Sequence, residues 1–386
     1  MSEFQTRKIT DSAGTGAPSF TYGLNSGGSD SGLIGKAYTS SGTEPSSPAN
    51  GDLWYDSTND KLYYYVAGAF KQITHENAAA AQNAWSGTRG LFAGGETANN
   101  GSSVNTINQI DITTTGDATD FGDLSVTREF TSGLSNQTRG VWGGGSVNTS
   151  TSYQNVMDYV TISSAGNATD FGDLTQSKSD TVACSNGTLG IFAMGFGSGS
   201  GEARYKTDID KITIATTGNA TDFGGDLIRG NRLGGAYGDL TRGIICGGYN
   251  YYSANDETIQ YITYASAGDA VDFGDMTVGF YIGGAVSDAT RGVMGGGSGA
   301  SFSYQNVIDY ITIQTTGNAT DFGDLTEGRQ TAAVADATYA VFNSGGASPY
   351  TNTMDYVTIQ TTGNATDFGD NTATIDGAGG CSGSPS

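Results

Sequence analysis

Carboxylates at short, repeated spacing are the residues of this chain best placed to do chemistry. Asp321 and Asp324 stand three residues apart with Asn318 three before them, an all-oxygen set of the kind that ligates calcium. Near-copies of the same phrase start at Asp120, Asp170, Asp222, Asp272 and Asp367. Asp and Asn at such spacing also cap tight turns through side-chain to backbone hydrogen bonds, and a structural feature repeated six times fits capping better than one metal centre. The expectation is therefore no cofactor, with Ca2+ kept as the alternative ligand of these turns. An Asp-Phe-Gly can hold magnesium for phosphoryl transfer, but the chain has no catalytic-loop signature and no phosphate-binding loop. His75 is the only histidine and lies outside the repeats, so neither a Ser/His/Asp triad nor a histidine metal centre can be assembled within them. Cys184, Cys246 and Cys381 form no CxxC or Cys/His cluster, and Cys184 and Cys246 read as small buried hydrophobes in strands. What catalysis remains open is glycan chemistry by paired aspartates.

The spacing of the phrase dictates the elements that carry it. Successive copies lie 46 to 52 residues apart, the length of propeller blades rather than of helical repeats. One copy reads Arg291-Gly292-Val293-Met294-Gly295-Gly296-Gly297, a loop, then Asn306-Val307-Ile308-Asp309-Tyr310-Ile311-Thr312-Ile313, then Asp321-Phe322-Gly323-Asp324-Leu325, then Thr331-Ala332-Ala333-Val334-Ala335. Gly, Asn and Asp turns divide it into four strands, and the third carries bulk on both faces, as a strand squeezed between neighbouring blades must. Composition agrees: 61 Gly, 21 Tyr and 16 Phe with only 15% charged residues describe a Gly-turned, aromatic-rich all-β chain. The sequence thus predicts an all-β, six-bladed propeller with four-stranded blades over residues 77–386, preceded by a distinct segment, 1–76. Residues 372–377 continue past the last copy into another first-strand segment that can close the ring. Residues 76–84 read as a short helix or a first strand.

The repeat resembles the kelch repeat of galactose-oxidase-like propellers. The resemblance sets a basic residue opening the first strand at Arg128, Lys178, Arg232 or Arg329, and a double glycine ending the second at Gly94-Gly95, Gly143-Gly144, Gly247-Gly248, Gly295-Gly296 and Gly345-Gly346. It sets a polar third-strand residue at Asn108, Asp158, Asp210, Gln260, Asp309 and Asp355. Phe121, Phe171, Phe223, Phe273, Phe322 and Phe368 stand where kelch repeats usually carry Trp, and Gly195-Phe196-Gly197 breaks one double glycine.

The connections are unequal. The Thr-Thr-Gly-Asn-Ala-Thr-Asp connection is nearly constant, whereas the loops after the double glycines differ and hold Tyr153, Tyr205, Tyr249, Tyr251, Tyr252, Phe302, Tyr304 and Tyr350 among Ser, Gly and Asn. Rigid aromatics among small polar residues have the composition of recognition loops, so this set is the candidate ligand- or partner-binding surface. A net charge of −22 repels phosphate backbones and anionic lipid, which makes naked nucleic acid and membrane surfaces poor candidate partners; the expectation is no nucleic acid and no membrane insertion. No apolar run approaches a membrane span or a signal peptide.

Residues 43–73 form a small β-meander built from Leu53-Trp54-Tyr55-Asp56, Leu62-Tyr63-Tyr64-Tyr65-Val66 and Ala69-Phe70-Lys71-Gln72-Ile73. This segment resembles a Gly-Asp-Leu-Trp-Tyr-Asp module of tailed-bacteriophage structural proteins, tail fibres among them. Residues 14–24 resemble the start of virion proteins of cyanophage-like viruses. The resemblance implies attachment to other virion proteins through the N-terminal segment, with Leu53, Trp54, Tyr55, Tyr63, Tyr65 and Phe70 as anchoring candidates. It also implies a particle assembled in the host cytoplasm and a homotrimer as one oligomeric form, although no heptads require one. The expected function is a non-enzymatic virion appendage of tail-fibre or adhesin type that displays the propeller to a host-surface glycan or protein. The alternatives are a capsid-decoration, head-fibre or tail-nozzle component and, behind both, a glycan-active enzyme.

Overall fold

A computed structural model describes residues 38–49, 52–58, 61–66, 68–72, 87–97, 101–148, 152–253, 255–281, 283–299, 303–343, 345–346 and 351–385. The chain divides into two units, Met1–Ala79 and Ala80–Ser386. The segments 14–24 and 76–84 lie outside the described residues, as do Phe302 and Tyr350.

The described part of the first unit is a four-stranded sheet. Leu53–Asp56, Lys61–Val66 and Ala69–Gln72 form the expected antiparallel meander. A strand that the sequence did not announce, Tyr38–Ser41, pairs parallel to Leu53–Asp56. Trp54 is buried, stacks on Tyr63 at 4.8 Å and meets Phe70 edge-on at 5.3 Å, and its indole Nε1 donates to the Ser41 carbonyl. Tyr65 meets Phe70 edge-on at 5.0 Å. Four of the anchoring candidates thus build the core of their own sheet; Leu53 is half-buried, and the Tyr55 side chain is outside the described set.

The second unit is a six-bladed β-propeller. From the axis outward, blade 2 is Ser132–Ser135, Arg139–Gly143, Val156–Thr161 and Thr169–Asp173, all antiparallel. Blades 3 to 6 repeat this order, beginning at Val182–Ser185, Gly235–Gly238, Gly284–Ser287 and Ala332–Ala335. Blade 1 takes its innermost strand from the other end of the chain: Gly379–Gly383 pairs with Arg89–Ala93, followed by Thr106–Asp111 and Thr119–Asp123. Closure therefore occurs as expected in kind but with a later segment than 372–377, of which Ile375–Asp376 instead pairs with Glu96–Thr97. Trp142 of blade 2 locks the closing strand by donating to the Gly379 carbonyl at 3.0 Å.

Hydrophobic burial falls between blades. The six core clusters each join two neighbours, as where Phe121 and Leu124 of blade 1 meet Trp142 and Val160 of blade 2. All six third strands share one burial pattern, with residues buried on both faces. Around the axis, Ser135, Ser185, Ser287 and Ser382 donate their hydroxyls to the preceding blade's innermost strand at 2.5 to 2.7 Å.

Two sequence registers need correction. The second strand ends at Gly143 and Gly295, and the left-handed exit pairs are Gly144-Gly145 and Gly296-Gly297, one residue later than the first two glycines suggest. In blade 3 the first place of that pair is taken by Met194 at φ +58°, with Gly195 second. The basic position is occupied in blade 4 by buried Asn231, not Arg232, and Arg232 stands one residue beyond it.

Candidate functional site

The constant parts of the repeat serve the scaffold. Arg128, Lys178 and Arg329 are completely buried and reach the third-strand carboxylates Asp158 at 2.9 Å, Asp208 and Asp210 at 2.6 and 3.1 Å, and Asp355 at 2.9 Å. Burial lowers the Arg128 pKa while Asp158 opposes the shift. The phrase Gly-Asn-Ala-Thr-Asp-Phe-Gly-Asp clasps adjacent blades at the rim. Asn318 accepts the backbone N–H of Asp275 at 3.1 Å, and Asn167, Asn219, Asp269, Asn364 and Asp117 do the same for Asp123, Asp173, Asp226, Asp324 and Asp370. Asn318 thus faces the preceding blade instead of joining Asp321 and Asp324 around an ion. Among the described residues, no group of three His, Cys, Asp or Glu side chains is placed to hold a metal. Cys184, Cys246 and Cys381 are buried and unpaired, and burial pushes the Cys184 and Cys246 thiols up to about 12.

The variable parts meet on one face. Antiparallel blades put the loops after the second strand on the same side as the connections from one blade's outermost strand to the next blade's innermost. There the residue following the basic position is Asp376, Glu129, Ser179, Arg232, Tyr281 and Gln330 from blade 1 to blade 6. It forms a ladder with the following loop: Asp376 pairs with Glu96, Glu129 with Ser146, Ser179 with Phe196, Arg232 with Tyr249, and Tyr281 with Ser298. A third rung adds Ser103 to Glu96, Tyr153 to Ser146, Tyr205 to Phe196 and Tyr304 to Ser298. At the first rung, one backbone geometry therefore presents a different side chain in every blade.

These side chains divide the face into two parts. Blades 3 to 5 carry a continuous aromatic arc. Tyr153 of blade 2 meets Phe196 edge-on at 6.1 Å, Phe196 meets Tyr205 at 5.1 Å, Tyr205 stacks on Tyr249 at 6.0 Å, and Tyr249 meets Tyr281 at 6.1 Å. Two guanidinium groups thread it: Arg204 lies 3.9 Å and Arg232 4.3 Å from the Phe196 ring centre, and Arg232 also lies over Tyr249 at 5.1 Å. Arg204 donates to the Tyr153 hydroxyl at 2.9 Å. Tyr251 and Tyr252 stand out from the arc, 55% and 78% exposed. Blades 1 and 2 carry the acidic part. Glu129 accepts from the Ser103 and Ser146 hydroxyls, and burial, then Glu96 beside it, raise its pKa to about 7. Burial, opposed by backbone N–H groups and reinforced by Glu96, raises Asp376 to about 6.

Between the two parts lies the mouth of the axial channel, a cavity of about 100 Å³ lined by Phe130, Asp180, Leu233 and Gly377 among small residues. These four are left-handed, and three backbone hydrogen bonds of 2.8 to 3.0 Å pass the chain from one to the next, Phe130 N to Gly377 O, Asp180 N to Phe130 O and Leu233 N to Asp180 O. Burial raises the Asp180 pKa to about 6 although Arg232 pairs with it at 3.1 Å.

Of the aromatic residues expected at the site, the structure brings Tyr153, Tyr205, Tyr249, Tyr251 and Tyr252 together and sets Tyr304 on blade 5 beside Ser298. Phe196, Tyr281, Arg204 and Glu202 were not anticipated. Phe196 was legible only as a broken double glycine, and Tyr281 only by aligning all six blade connections. The chain matches no protein-family model and no curated protein.

Proposed function

We propose that this chain is a non-enzymatic recognition protein, carried on a virion appendage by its N-terminal segment and touching a host-surface glycan or protein with the loop face of its propeller. The observation that carries this reading is the contrast between faces: six blades keep one scaffold yet present Asp376, Glu129, Ser179, Arg232, Tyr281 and Gln330 at one shared position on one side. Recognition needs such an arrangement, because a rigid frame lets loop chemistry vary without refolding. The non-enzymatic part is supported by the use of the raised carboxylates Glu129 and Asp376 in hydrogen bonds within the fold and of the thiols as core. The virion assignment is supported by the resemblance of residues 43–73 to phage structural modules.

The test is binding of the labelled full chain to a panel of bacterial cells, read by flow cytometry. Retention by some strains, lost when Tyr205, Tyr249, Tyr251 and Tyr252 are all replaced by serine, is the expected result. Retention that survives those replacements, or no retention by any strain, overturns the reading.

A further inference from the structure

Tyr251 and Tyr252 form a corner with two walls. Their rings stand 5.2 Å apart at 87°, and both are more than half exposed. The corner is built rather than loose. Buried Asn250 accepts the backbone N–H groups of Tyr252 and Ser253 at 2.9 and 2.8 Å and donates to Asp256 at 2.8 Å, which fixes the loop from beneath. Tyr252 donates its hydroxyl to Glu202 of blade 3 at 2.9 Å, and Tyr251 meets Tyr205 edge-on at 6.4 Å. A side chain at Gly201 would lie 3.9 Å from the Tyr251 ring, so the corner sits at the junction of blades 3 and 4.

Cations are concentrated at the same junction. The other arginines and lysines of blades 1 to 6 serve the scaffold. Three fill the buried basic positions. Arg89, Arg139, Arg242 and Arg291 clamp carbonyls of a neighbouring blade. Lys211 lies over Phe223. The remaining four, Arg204, Lys206, Arg229 and Arg232, all fall in the blade 3 loop and the connection that follows blade 3. Arg204 is engaged by Tyr153, Arg232 by Asp180 and Lys206 by the Ser198 and Ala203 carbonyls, which leaves Arg229. Arg229 is 63% exposed, and its only ionic contact among the described residues is a long 4.0 Å one to Asp256. That carboxylate is already engaged by Asn231, Asn250 and Thr258. Gly230, beside Arg229, packs against the Tyr205 backbone.

We infer that this corner binds a glycan bearing an anionic group, which deepens and rests on the recognition reading above. A pyranose presents an apolar C–H face that lies on an exposed tyrosine ring, and hydroxyls that suit the Glu202 carboxylate beside it. Arg229 supplies a guanidinium for a carboxylate or sulfate on the sugar. A long polyanion is repelled by the net charge of −22, whereas a single anionic group feels mainly charges within about a Debye length of roughly 8 Å. The preformed loop removes most of the ordering cost that binding would otherwise carry.

The experiment exposes the full chain to an array of uronate-, sialate- and sulfate-bearing oligosaccharides beside their neutral parents, followed by calorimetry on the best-retained probe. Acidic members are expected to be held above their parents. Arg229→Ala should erase that preference, Tyr252→Ala should weaken acidic and neutral forms alike by about tenfold, and Tyr252→Phe, which keeps the ring, should stay within about threefold. Leu240→Ser, on the opposite face, should change nothing, and the melting temperature of each variant separates a loss of folding from a loss of binding. Equal binding of acidic and neutral members, or equal losses in L240S and Y252A, overturns the assignment. If no glycan is retained while loop-dependent cell binding persists, the glycan inference falls and recognition stands; if both fail, both fall.

Discussion

At the scale of single residues, the repeat contains its own control for the value of a buried ion pair. Asp158 and Asp309 occupy the same third-strand position and are both almost completely buried. Asp158 faces Arg128, whereas the residue at the basic position of blade 5 is Phe280. Asp309 is left with hydrogen bonds from the Thr277 backbone and hydroxyl, and burial raises its pKa. Removing one partner of a buried pair strands the other charge, so Asp158→Asn should cost about 3–5 kcal/mol in chemical denaturation. Asp309→Asn should change stability by no more than about 1 kcal/mol, since the amide keeps an acceptor and strands no charge. Similar losses in the two variants would show that the position, not the pairing, matters. The sequence displayed both partners of each pair. It misassigned blade 4 because Arg232 lies one residue from Asn231, a slip that only the strand register corrects.

At the scale of elements, the constancy of the rim phrase follows from contact between blades. Phe322 fills the core between blades 5 and 6, and Gly323 lets the turn of the next blade approach so closely that a Cβ there would lie 2.4 Å from the Gly363 carbonyl oxygen. Gly317, in the exposed turn, has a similar φ of +153° against +148° but nothing within 4 Å. Both alanine variants carry the strain of a glycine conformation, about 1 kcal/mol or somewhat more. Gly323→Ala adds a backbone overlap and should therefore lower the melting temperature clearly more than Gly317→Ala. Equal shifts would mean that conformation alone selects these glycines. The strands and their four-fold order were legible because period and turn residues are local properties. The clasp was not, because Asn318 and the Asp275 N–H it accepts are 43 residues apart.

At the scale of the whole molecule, closure brings acidic groups from both ends of the propeller together. Asp376 in the returning segment pairs in the backbone with Glu96, and Glu96 also lies against Glu129. Folding raises Glu129 from 4.5 to about 7 and Asp376 from 3.8 to about 6. Groups raised on folding bind more protons in the native state, so their contribution is complete below the unfolded values and is lost as pH rises through the folded ones. The melting temperature should therefore fall between about pH 4 and pH 7, and Glu129→Gln, which keeps an acceptor for Ser103 or Ser146, should flatten that slope. An unchanged slope in the variant would place the pH dependence elsewhere, with Asp180 at the channel mouth the next group to replace. The sequence by itself determined the propeller, its blade number and the loops that vary, because these follow from a fifty-residue period and from residue types adjacent in the chain. Only the tertiary structure decided that Gly379–Gly383 closes the ring, that Phe196, Tyr281 and two arginines complete the aromatic arc, and that carboxylates gather on blades 1 and 2. Those outcomes depend on which blades become neighbours when the ring closes, and that proximity is created by packing between residues as far apart in sequence as Arg89 and Gly383.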